Sequence, residues 1–437
     1  MKRLFFLLLA ALLLLSACSA VPVPPEAPQP PETPTEPAAA PQQYTLSFVG
    51  DCTLASSQFH RGSPGSFRAV IGDDMSRPFS GTAAYFLHDS LTVANLECTL
   101  TDAVAAPRGL FGFAADPAYV DVLTAGGVDM VTLANNHSGD FGSAAYAQTG
   151  ETLDAVGVAW AGENEWTLVE TADGLTVGLY CTGASLSPAI EPCLAALKDM
   201  RAAGAELCIV LPHWGKEGSY RPTAAQRAFA EAAAAGGADL IVGSHPHVLQ
   251  PVEECGTALV AYSLGNYVFG GNTNPRDRDT AILQVTYTRQ DDGTLARTDV
   301  TRVPCSLSGT PGRNDYSPVP YDPDSPEAAR ALSKLDGSFT GPDLVIDYTP
   351  YLTPKMPETP EAPETPEEPE MPETPEAPET PEEPDEPALP EQPETPEAPN
   401  TPPAEPAQPE APAPAEPAGG GDAPAPPPGA ADGDVQK

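Results

Sequence analysis

The sequence predicts an α/β fold with a largely parallel centre, and three observations lead to this prediction. Short apolar runs of strand length alternate with alanine-rich stretches of helical length. Most of the runs are continuous rather than alternating, as is typical of strands buried on both faces. Repeated strand–helix–strand order then favours a layered α/β architecture.

Eight segments are predicted to be strands. In chain order they are "YTLSFVG" (44–50), "LTVANLE" (91–97), "DMVTLAN" (129–135), "LTVGLYC" (175–181), "ELCIVLP" (206–212), "DLIVGS" (239–244), "ALVAYSLG" (258–265) and "AILQVTYT" (281–288). The last two are neighbours in sequence, and we expect them to pair antiparallel. The sheet would therefore be mixed rather than purely parallel.

Three segments between these strands are predicted to be helices: residues 116–127, 144–157 and 223–237. Each ends in glycine, which is common where helices stop. The first is expected to begin near Asp116 and Pro117, because proline is favoured in the first turn of a helix.

Composition divides the 437 residues into four parts. Residues 1–18 are predicted to be an export signal, 19–43 a proline-rich linker, 44–350 a single folded domain and 351–437 an acidic tail. Of the 55 prolines of the chain, 36 lie in the linker and the tail. Both parts have too few apolar residues to build a core, so we expect them to be disordered or extended.

The first 18 residues combine two basic residues, an apolar run and the sequence Leu15-Ser16-Ala17-Cys18. This run is typical of a signal peptide rather than of a membrane-spanning helix. The small residues before Cys18 resemble a bacterial lipobox. That resemblance implies a lipid on Cys18 and attachment to the outer face of the cytoplasmic membrane, or a place in a periplasm. An ordinary secretory signal with an incidental cysteine is the alternative.

The tail is periodic and acidic. From Pro354 to Pro402 every third residue is proline, which matches the three-residue turn of polyproline II. The tail from Pro354 carries 22 acidic residues and two lysines, about half of the net charge of −40. A spacer through a cell wall or a docking arm is the favoured interpretation, and an unselective solubilising tail is the alternative. The acidic balance argues against nucleic-acid binding.

Seven cysteines follow Cys18 in the chain, and none of them shows CxxC or zinc-ribbon spacing. A thiolate metal site is therefore not expected. Cys52 and Cys98 each come directly after a candidate ligand. They could form a disulfide or pack as small buried residues, and packing is the expectation.

Side chains of metal-ligand type follow five of the predicted strands. They are Asp51, Glu97, Asn136 with His137, His213 with Glu217 four residues later, and His245 with His247. Open α/β sheets bind ligands beyond the carboxyl ends of their strands, so these residues are expected to meet in one pocket. The other two histidines, His60 and His88, are expected to be structural.

This set of side chains predicts a metal site. Imidazole, carboxylate and amide oxygen together suit zinc, manganese or iron. Both rings of His245 and His247 can turn toward one point if the backbone bends, and Pro246 would fix that bend. Two ions close together would hold a substrate oxyanion and activate water. Taken singly, each residue also fits a structural role, such as a turn at Asp51.

Several longer motifs resemble one known family. They are "FVGDCTL", "NLECTLT", "VDMVTLANNHSGDFG", "LPHWGKE", "PTAAQR", "GADLIVGSHPHVLQPVE" and "YSLGNYVF". In this order they look like the successive motifs of CapA-type capsule synthesis proteins. That family is implicated in poly-γ-glutamate production and is related to calcineurin-like metallophosphoesterases. The resemblance covers about residues 44–285.

The resemblance implies a four-layer α/β/β/α sandwich of the metallo-dependent phosphatase type, with its site at the strand ends. It also implies roles for individual residues. These are Asp51 in the first metal motif, Glu97 as bridging carboxylate, Asn136 as amide ligand, His137 as proton donor, His213 and His245 on one metal, and His247 on the other.

The sequence departs from the metallophosphoesterase pattern in two places. Thr53 stands where those enzymes usually have histidine, and Glu97 stands where they typically have aspartate. Both changes fall on the same metal position, so one ion is the alternative to two. Glu217 is a candidate general acid or base and Asn266 a candidate oxyanion donor. A loop salt bridge and a turn asparagine are the respective alternatives.

Two functions fit these predictions. The first is a metal-dependent hydrolase or transferase at the cell surface, acting on a phosphoester, on poly-γ-glutamate or on a wall polymer. The second is a non-catalytic component that holds or guides an anionic polymer beside membrane-bound capsule synthetase subunits. The sequence leaves open which of the two applies.

Overall fold

The computed structural model describes residues 41–102 and 106–352. The expected domain of residues 44–350 lies almost wholly within these ranges. The signal sequence with Cys18, nearly all of the linker and the periodic tail lie outside the described residues, so their predictions remain predictions.

The described residues contain sixteen strands and eight α-helices. The strands are β1 (Gln43–Thr53), β2 (Leu91–Leu96), β3 (Thr99–Leu100), β4 (Ala114–Ala115), β5 (Met130–Thr132), β6 (Ala159–Ala161), β7 (Glu165–Glu170), β8 (Thr176–Thr182), β9 (Leu207–Pro212), β10 (Leu240–Val242), β11 (Val252–Cys255), β12 (Ala258–Ala261), β13 (Asn266–Phe269), β14 (Asp279–Arg289), β15 (Leu295–Ser306) and β16 (Val319–Pro320). The helices are α1 (Phe67–Ile71), α2 (Arg77–Ser80), α3 (Val120–Ala125), α4 (Ser143–Val156), α5 (Ile190–Ala202), α6 (Ala224–Ala235), α7 (Pro326–Leu335) and α8 (Thr349–Leu352).

Two large sheets carry the fold. The first has the order β16-β15-β14-β1-β2-β5-β6, with β13 paired to the far part of β1. In it β1, β2, β5 and β6 run parallel, whereas β14 and β15 are antiparallel additions. The second sheet has the order β11-β12-β10-β9-β8-β7 and a parallel centre of β8, β9, β10 and β12. Both sheets are therefore mixed.

All eight predicted strands form, but one predicted pairing is wrong. Residues 258–265 contribute β12 to the second sheet, whereas residues 281–288 lie in β14 of the first sheet. The two segments are close in sequence but do not pair, because β13 lies between β12 and β14 in the chain and pairs with β1 of the first sheet. The antiparallel partners of β14 are instead β1 and β15.

The apolar side chains form three core clusters, one between each pair of adjacent layers, so the fold is a four-layer sandwich. One core cluster lies between the sheets and joins Phe48 of the first to Ile209 of the second. A second cluster packs α3 and α4 on the outer face of the first sheet. A third packs α5 and α6 on the outer face of the second sheet. The predicted α/β/β/α layering is thereby confirmed.

The three predicted helices form, with local reasons for their ends. Asp116 Oδ1 accepts a hydrogen bond from the Ala118 amide at 3.0 Å, ahead of a 3-10 turn that leads into α3. Helix α4 ends at Gly157, whose φ of 76° favours glycine. Helix α6 begins with a capping box between Thr223 and Gln226. The other five helices, α1, α2, α5, α7 and α8, are not among those predicted from the sequence.

All seven cysteines of the described residues are free, and Cys52 and Cys98 are both buried. The expectation that these two pack rather than form a disulfide agrees with the structure. None of the helices in the described part of the chain combines the length and apolar character needed to cross a bilayer.

Candidate metal centre

The predicted ligands meet where the carboxyl ends of strands from both sheets adjoin. Asp51 lies near the end of β1, and Glu97 directly follows β2. His213 directly follows β9, and His245 comes three residues after β10. The strand β1 continues to Thr53, beyond the predicted end, because β13 pairs with it there. This pairing fixes the backbone of Asp51 from both sides.

Close backbone approach at this edge requires a glycine. A Cβ at Gly50 would lie 1.9 Å from the carbonyl oxygen of Gly265. The neighbouring Asp51 amide donates a 2.9 Å hydrogen bond to that same oxygen. The glycine before Asp51 therefore lets the loop ahead of β13 seat against β1.

The His-Pro-His segment bends as its sequence predicts. His245 has a φ of 96° and His247 a φ of 56°, both in the left-handed region. Such conformations cost non-glycine residues roughly 1–3 kcal/mol each and cluster at functional sites. The bend brings the ring centroid of His245 to 4.9 Å from that of His213 and to 5.9 Å from that of His247.

Three overlapping groups of side chains could hold a cation. Within each group the potential ligand atoms lie within 4.8 Å of one another. The groups are Glu97 with His213 and His245, Asp51 with Glu97 and His247, and Glu217 with His245 and His247. Glu97 belongs to the first two groups, which is the arrangement that a carboxylate bridging two ions requires.

The donor set fits a metal because several of its buried polar atoms make no hydrogen bond. These atoms are both carboxylate oxygens of Glu97 and Nδ1 of His245. Oδ2 of Asp51 has an ion-pair contact with His247 Nδ1 at 3.1 Å. Glu97 is 1% exposed and Asp51 is fully buried. Burying a carboxylate oxygen without a partner is unfavourable, so these atoms are suited to a divalent cation.

Burial and charge shift the pKa values in this cluster in opposite directions. Burial raises the pKa of Glu97 well above its usual range, against the opposing charge of His247. Burial also lowers the pKa of His213 well below normal and that of His245 to about 4. Burial alone would lower the pKa of His247, but the charges of Glu97 and Asp51 raise it to about 10. The pocket therefore favours positive charge beside its carboxylates and keeps two imidazoles neutral.

Amide and hydroxyl groups orient the ligands. Asn95 donates to Asp51 Oδ1 at 2.8 Å, and Asn135 donates to Asn95 Oδ1 at 3.0 Å. His213 Nδ1 lies 2.8 Å from Ser244 Oγ, which leaves its Nε2 facing Asn136 Oδ1 at 2.8 Å. The predicted amide ligand Asn136 thus presents its oxygen beside a predicted imidazole ligand.

His137 lies at the edge of the cluster with one ring nitrogen engaged. Its Nδ1 is 2.9 Å from Asp140 Oδ2, and the same oxygen accepts from the Phe113 amide at 3.0 Å. The ring packs edge-on against Phe113, with centroids 4.7 Å apart. Its Nε2 is left for a ligand in the cleft, as a proton donor would need.

Asn266 and Glu217 have partners that add to their predicted roles. Asn266 Oδ1 lies 2.8 Å from His247 Nδ1, and its Nδ2 donates to the His247 carbonyl at 3.3 Å. Both ends of the amide therefore hold His247, and the role as oxyanion donor stays a prediction. Glu217 Oε2 accepts a hydrogen bond from Tyr348, and Glu217 also lies within ligand reach of His245 and His247.

Thr53 occupies the position where metallophosphoesterases usually have a histidine. It is fully buried, and its Oγ1 has no hydrogen-bond partner. His60 and His88 lie outside the three ligand groups. His60 Nδ1 lies 3.2 Å from Ser57 Oγ, and His88 is exposed. Their placement agrees with a structural interpretation.

A cleft of about 220 Å³ opens onto the cluster. Its walls include Glu97, His137, Glu217, His247 and Asn266, together with Phe111, Phe113, Phe269, Arg276, Leu344, Ile346, Asp347, Tyr348 and Tyr351. Sequence reasoning did not find Asp140, Asn95, Ser244 or Tyr348. Asp140 follows His137 by three residues, a spacing that could have indicated the pairing, whereas Tyr348 carried no sequence signal.

Comparison with known proteins gives a consistent picture. Residues 45–271 match the family model described as "Bacterial capsule synthesis protein PGA_cap". The chain is 33% identical over 194 residues to the "Capsule biosynthesis protein CapA" of Bacillus anthracis, covering 38% of this chain and 46% of that protein. It is 36% identical over 131 residues to the "PGA biosynthesis protein CapA" of Bacillus subtilis (strain 168), covering 30% and 31%. The matches thus span less than half the length of these curated relatives.

Solved structures with similar coordinates include a putative 5'-nucleotidase from Staphylococcus aureus in complex with alpha-ketoglutarate, with 14% identity and a TM-score of 0.36 over 60% of this chain and 54% of that one. Haemophilus influenzae NAD nucleotidase has 12% identity and a TM-score of 0.33, covering 69% and 63%. TM-scores this low fix neither the substrate nor the reaction of the present chain.

Proposed function

Because the chain belongs to the bacterial capsule synthesis protein PGA_cap family, we propose that its domain is a metal-dependent hydrolase or transferase acting on a capsule polymer. The proposed metal ligands are Asp51, Glu97, Asn136, His213, His245 and His247. One or two divalent ions, zinc, manganese or iron, would occupy the positions that share Glu97.

One observation carries this proposal: both buried oxygens of Glu97 make no hydrogen bond, and Glu97 belongs to two of the groups of potential metal ligands. A purely structural cluster would pair these atoms, because an unsatisfied buried polar group costs about 1–3 kcal/mol. Their lack of partners, together with the positive φ of two histidines, indicates a pocket shaped for a ligand.

Different side chains of the site are proposed to have different roles in the reaction. Bound divalent ions would supply Lewis acidity toward a substrate oxyanion and toward water. His137, held by Asp140, would donate a proton from Nε2 to the leaving group. Asn266 would orient the ring of His247, and Glu217 at the cleft wall would accept or deliver a second proton.

The proposed substrate is an anionic polymer of the poly-γ-glutamate type, with a phosphoester as the alternative. The curated relatives are named for capsule and PGA biosynthesis, which supports the first. The chain as a whole is strongly acidic, so cations at the site would provide the local attraction that a polyanion needs. We also propose that a lipid on Cys18 holds the protein at the extracytoplasmic face of the membrane, beside capsule synthetase subunits.

The proposal is tested on the mature protein with metal analysis and a substrate panel. We expect one to two equivalents of a transition metal per chain by mass spectrometry, and turnover of bis(p-nitrophenyl) phosphate or poly-γ-glutamate. Changing both His245 and His247 to alanine should abolish metal and turnover, whereas the exposed His88→Ala should change neither. Background metal content in the wild type, with no turnover of either substrate, would refute the proposal.

A non-catalytic holder of polymer is the second candidate, and Thr53 favours it. A threonine in place of a metal-ligating histidine weakens one cation position. If the double histidine variant folds, binds no metal and still supports capsule formation in cells, the holder is correct. Loss of capsule in that variant favours the metal site.

A further inference from the structure

Residues 341–352, here called the strap, cross the open side of the metal cleft. Leu344, Ile346, Asp347, Tyr348 and Tyr351 of the strap line the same cleft as His137 and His247. The strap lies some seventy residues beyond the family match, which ends at residue 271. The strap therefore lies outside the part of the chain that the family model matches, yet it lines the same cleft.

The start of the strap is anchored on the loop that follows Glu217. Asp343 Oδ1 accepts from Arg221 Nη1 at 2.7 Å, and its Oδ2 accepts from Ser219 Oγ at 3.1 Å. The Leu344 amide donates to the Gly218 carbonyl at 2.8 Å. Gly218 has a φ of 73°, and a Cβ there would lie 2.4 Å from the Leu344 carbonyl oxygen. Glycine at 218 therefore permits the close seating.

The far end of the strap rests on an aromatic cluster. The Tyr351 ring lies 5.1 Å from that of Phe59 and 5.0 Å from that of Phe111. The Tyr348 ring lies 5.5 Å from that of Phe111, and its hydroxyl donates to Glu217 Oε2. One strap side chain is thus tied directly to a carboxylate of the candidate site.

These contacts hold the strap on the surface rather than in a core. The side chains of Arg221 and Asp343 are 50% and 43% exposed. Val345 is 72% exposed and Leu352 67%. Exposed ion pairs contribute little net free energy, and segments with few buried contacts open first. The strap can therefore leave the cleft without unfolding the sandwich.

We propose that the strap is a removable wall that sets the size of the group admitted to the metal cleft, with Tyr348 and Tyr351 as its specificity-determining residues. With the strap seated, the cleft of about 220 Å³ lies below the usual range of ligand pockets, roughly 300–1,000 Å³. A chain end or small group fits this space, and the interior of a polymer enters only after the strap lifts. The polymer as ligand rests on the proposed function above, whereas the control of access does not.

The test measures access to the cleft by size, without metal or turnover. His137→Cys places a thiol in the cleft of a Cys255→Ser chain, whose other described cysteines are buried. The thiol is reacted with N-ethylmaleimide and with a polyethylene-glycol-linked maleimide, which share one chemistry and differ in bulk. Adding Asp343→Ala should raise the rate ratio of the bulky to the small reagent at least ten-fold.

Two further variants make the result decisive. Tyr351→Ala releases the other end of the strap and should raise the same ratio, so a folding defect of Asp343→Ala does not spoil the test. Asp291→Ala, which removes an exposed carboxylate in the turn between β14 and β15, should leave the ratio at the wild-type value. An unchanged ratio in both strap variants, with normal melting temperatures, would overturn the proposal. If the protein binds no metal, the proposed function is refuted, but the conclusion about access to the cleft is unaffected.

Discussion

Replacing Glu97 by glutamine should separate metal binding from stability. The substitution keeps the size and shape of the side chain and removes its charge. In the metal-free protein neither carboxylate oxygen of Glu97 has a hydrogen-bond partner, and burial raises its pKa well above normal. We therefore expect Glu97→Gln to leave the metal-free fold intact while it disables the cation positions that share this residue.

The expected sizes follow from the contacts. Burial disfavours the charged form of Glu97, so removing the charge should offset the loss of attraction to His247, whose Nε2 is 3.7 Å from Oε1. The free energy of unfolding in chelator should thus change by less than about 1 kcal/mol. Changes to residues that merely orient metal ligands typically cost 10–100-fold in affinity. Loss of a direct bridging ligand should exceed 100-fold, or about 2.8 kcal/mol.

The assay is calorimetric titration of the mature protein with Mn²⁺ and with Zn²⁺, paired with urea unfolding in chelator. Glu151→Gln, on the exposed side of α4, makes the same chemical change away from the cluster and should alter neither measurement. The reasoning would be refuted if Glu97→Gln lost 3 kcal/mol or more of stability and bound metal as tightly as the wild type.

Three further outcomes are expected. Asp140→Asn should lower turnover of bis(p-nitrophenyl) phosphate about 10–100-fold with metal content unchanged, because it loosens the ring of His137 and touches no ligand. Asp279→Asn should cost about 3–5 kcal/mol in urea unfolding, since it removes one partner of a buried ion pair. Burial alone would raise the pKa of Asp279, but the hydrogen bonds and charges of its two cationic partners lower it below 3.8. Its contribution is therefore complete above pH 3.8 and is lost as the pH falls through the folded-state pKa, which a pH series of the wild type and the asparagine variant would reveal. Gly243→Ala should cost about 1–3 kcal/mol, because its Cβ would lie 2.3 Å from an indole nitrogen, whereas Gly139→Ala, with open space around it, should melt like the wild type.

The parallel strands of the fold are predicted well from the sequence because strands buried on both faces have unbroken apolar sequences. Each of the eight predicted segments forms a strand, and four of the five strand ends contribute a side chain to the lining of one cleft. Asp51, from the fifth strand end, lies in a group of potential ligands with Glu97 and His247. This works because parallel strands bring their carboxyl ends to a common edge whatever their order in the sheet. The family resemblance is also confirmed by the match over residues 45–271.

Strand β15 and the strap are not predicted from the sequence, and the reason is physical. Strand β15 is mostly half-exposed or exposed along its length, so its pattern carries no strong apolar signal. The strap mixes polar, aliphatic and aromatic residues without a regular period, and its contacts with Glu217 and Phe59 join positions far apart in the chain. Such contacts depend on how the sandwich brings distant loops together, which local pattern does not encode.

The two cation positions that share Glu97 differ in the character of their ligands. One adds two imidazoles, His213 and His245, and the other adds the carboxylate of Asp51 and the imidazole of His247. Nitrogen-rich sets suit zinc, whereas sets richer in carboxylate oxygen suit manganese. Thr53 stands where a further imidazole would make the second position more like the first. With threonine there, we expect an ion at the second position to depend more on carboxylate oxygens than an ion at the first.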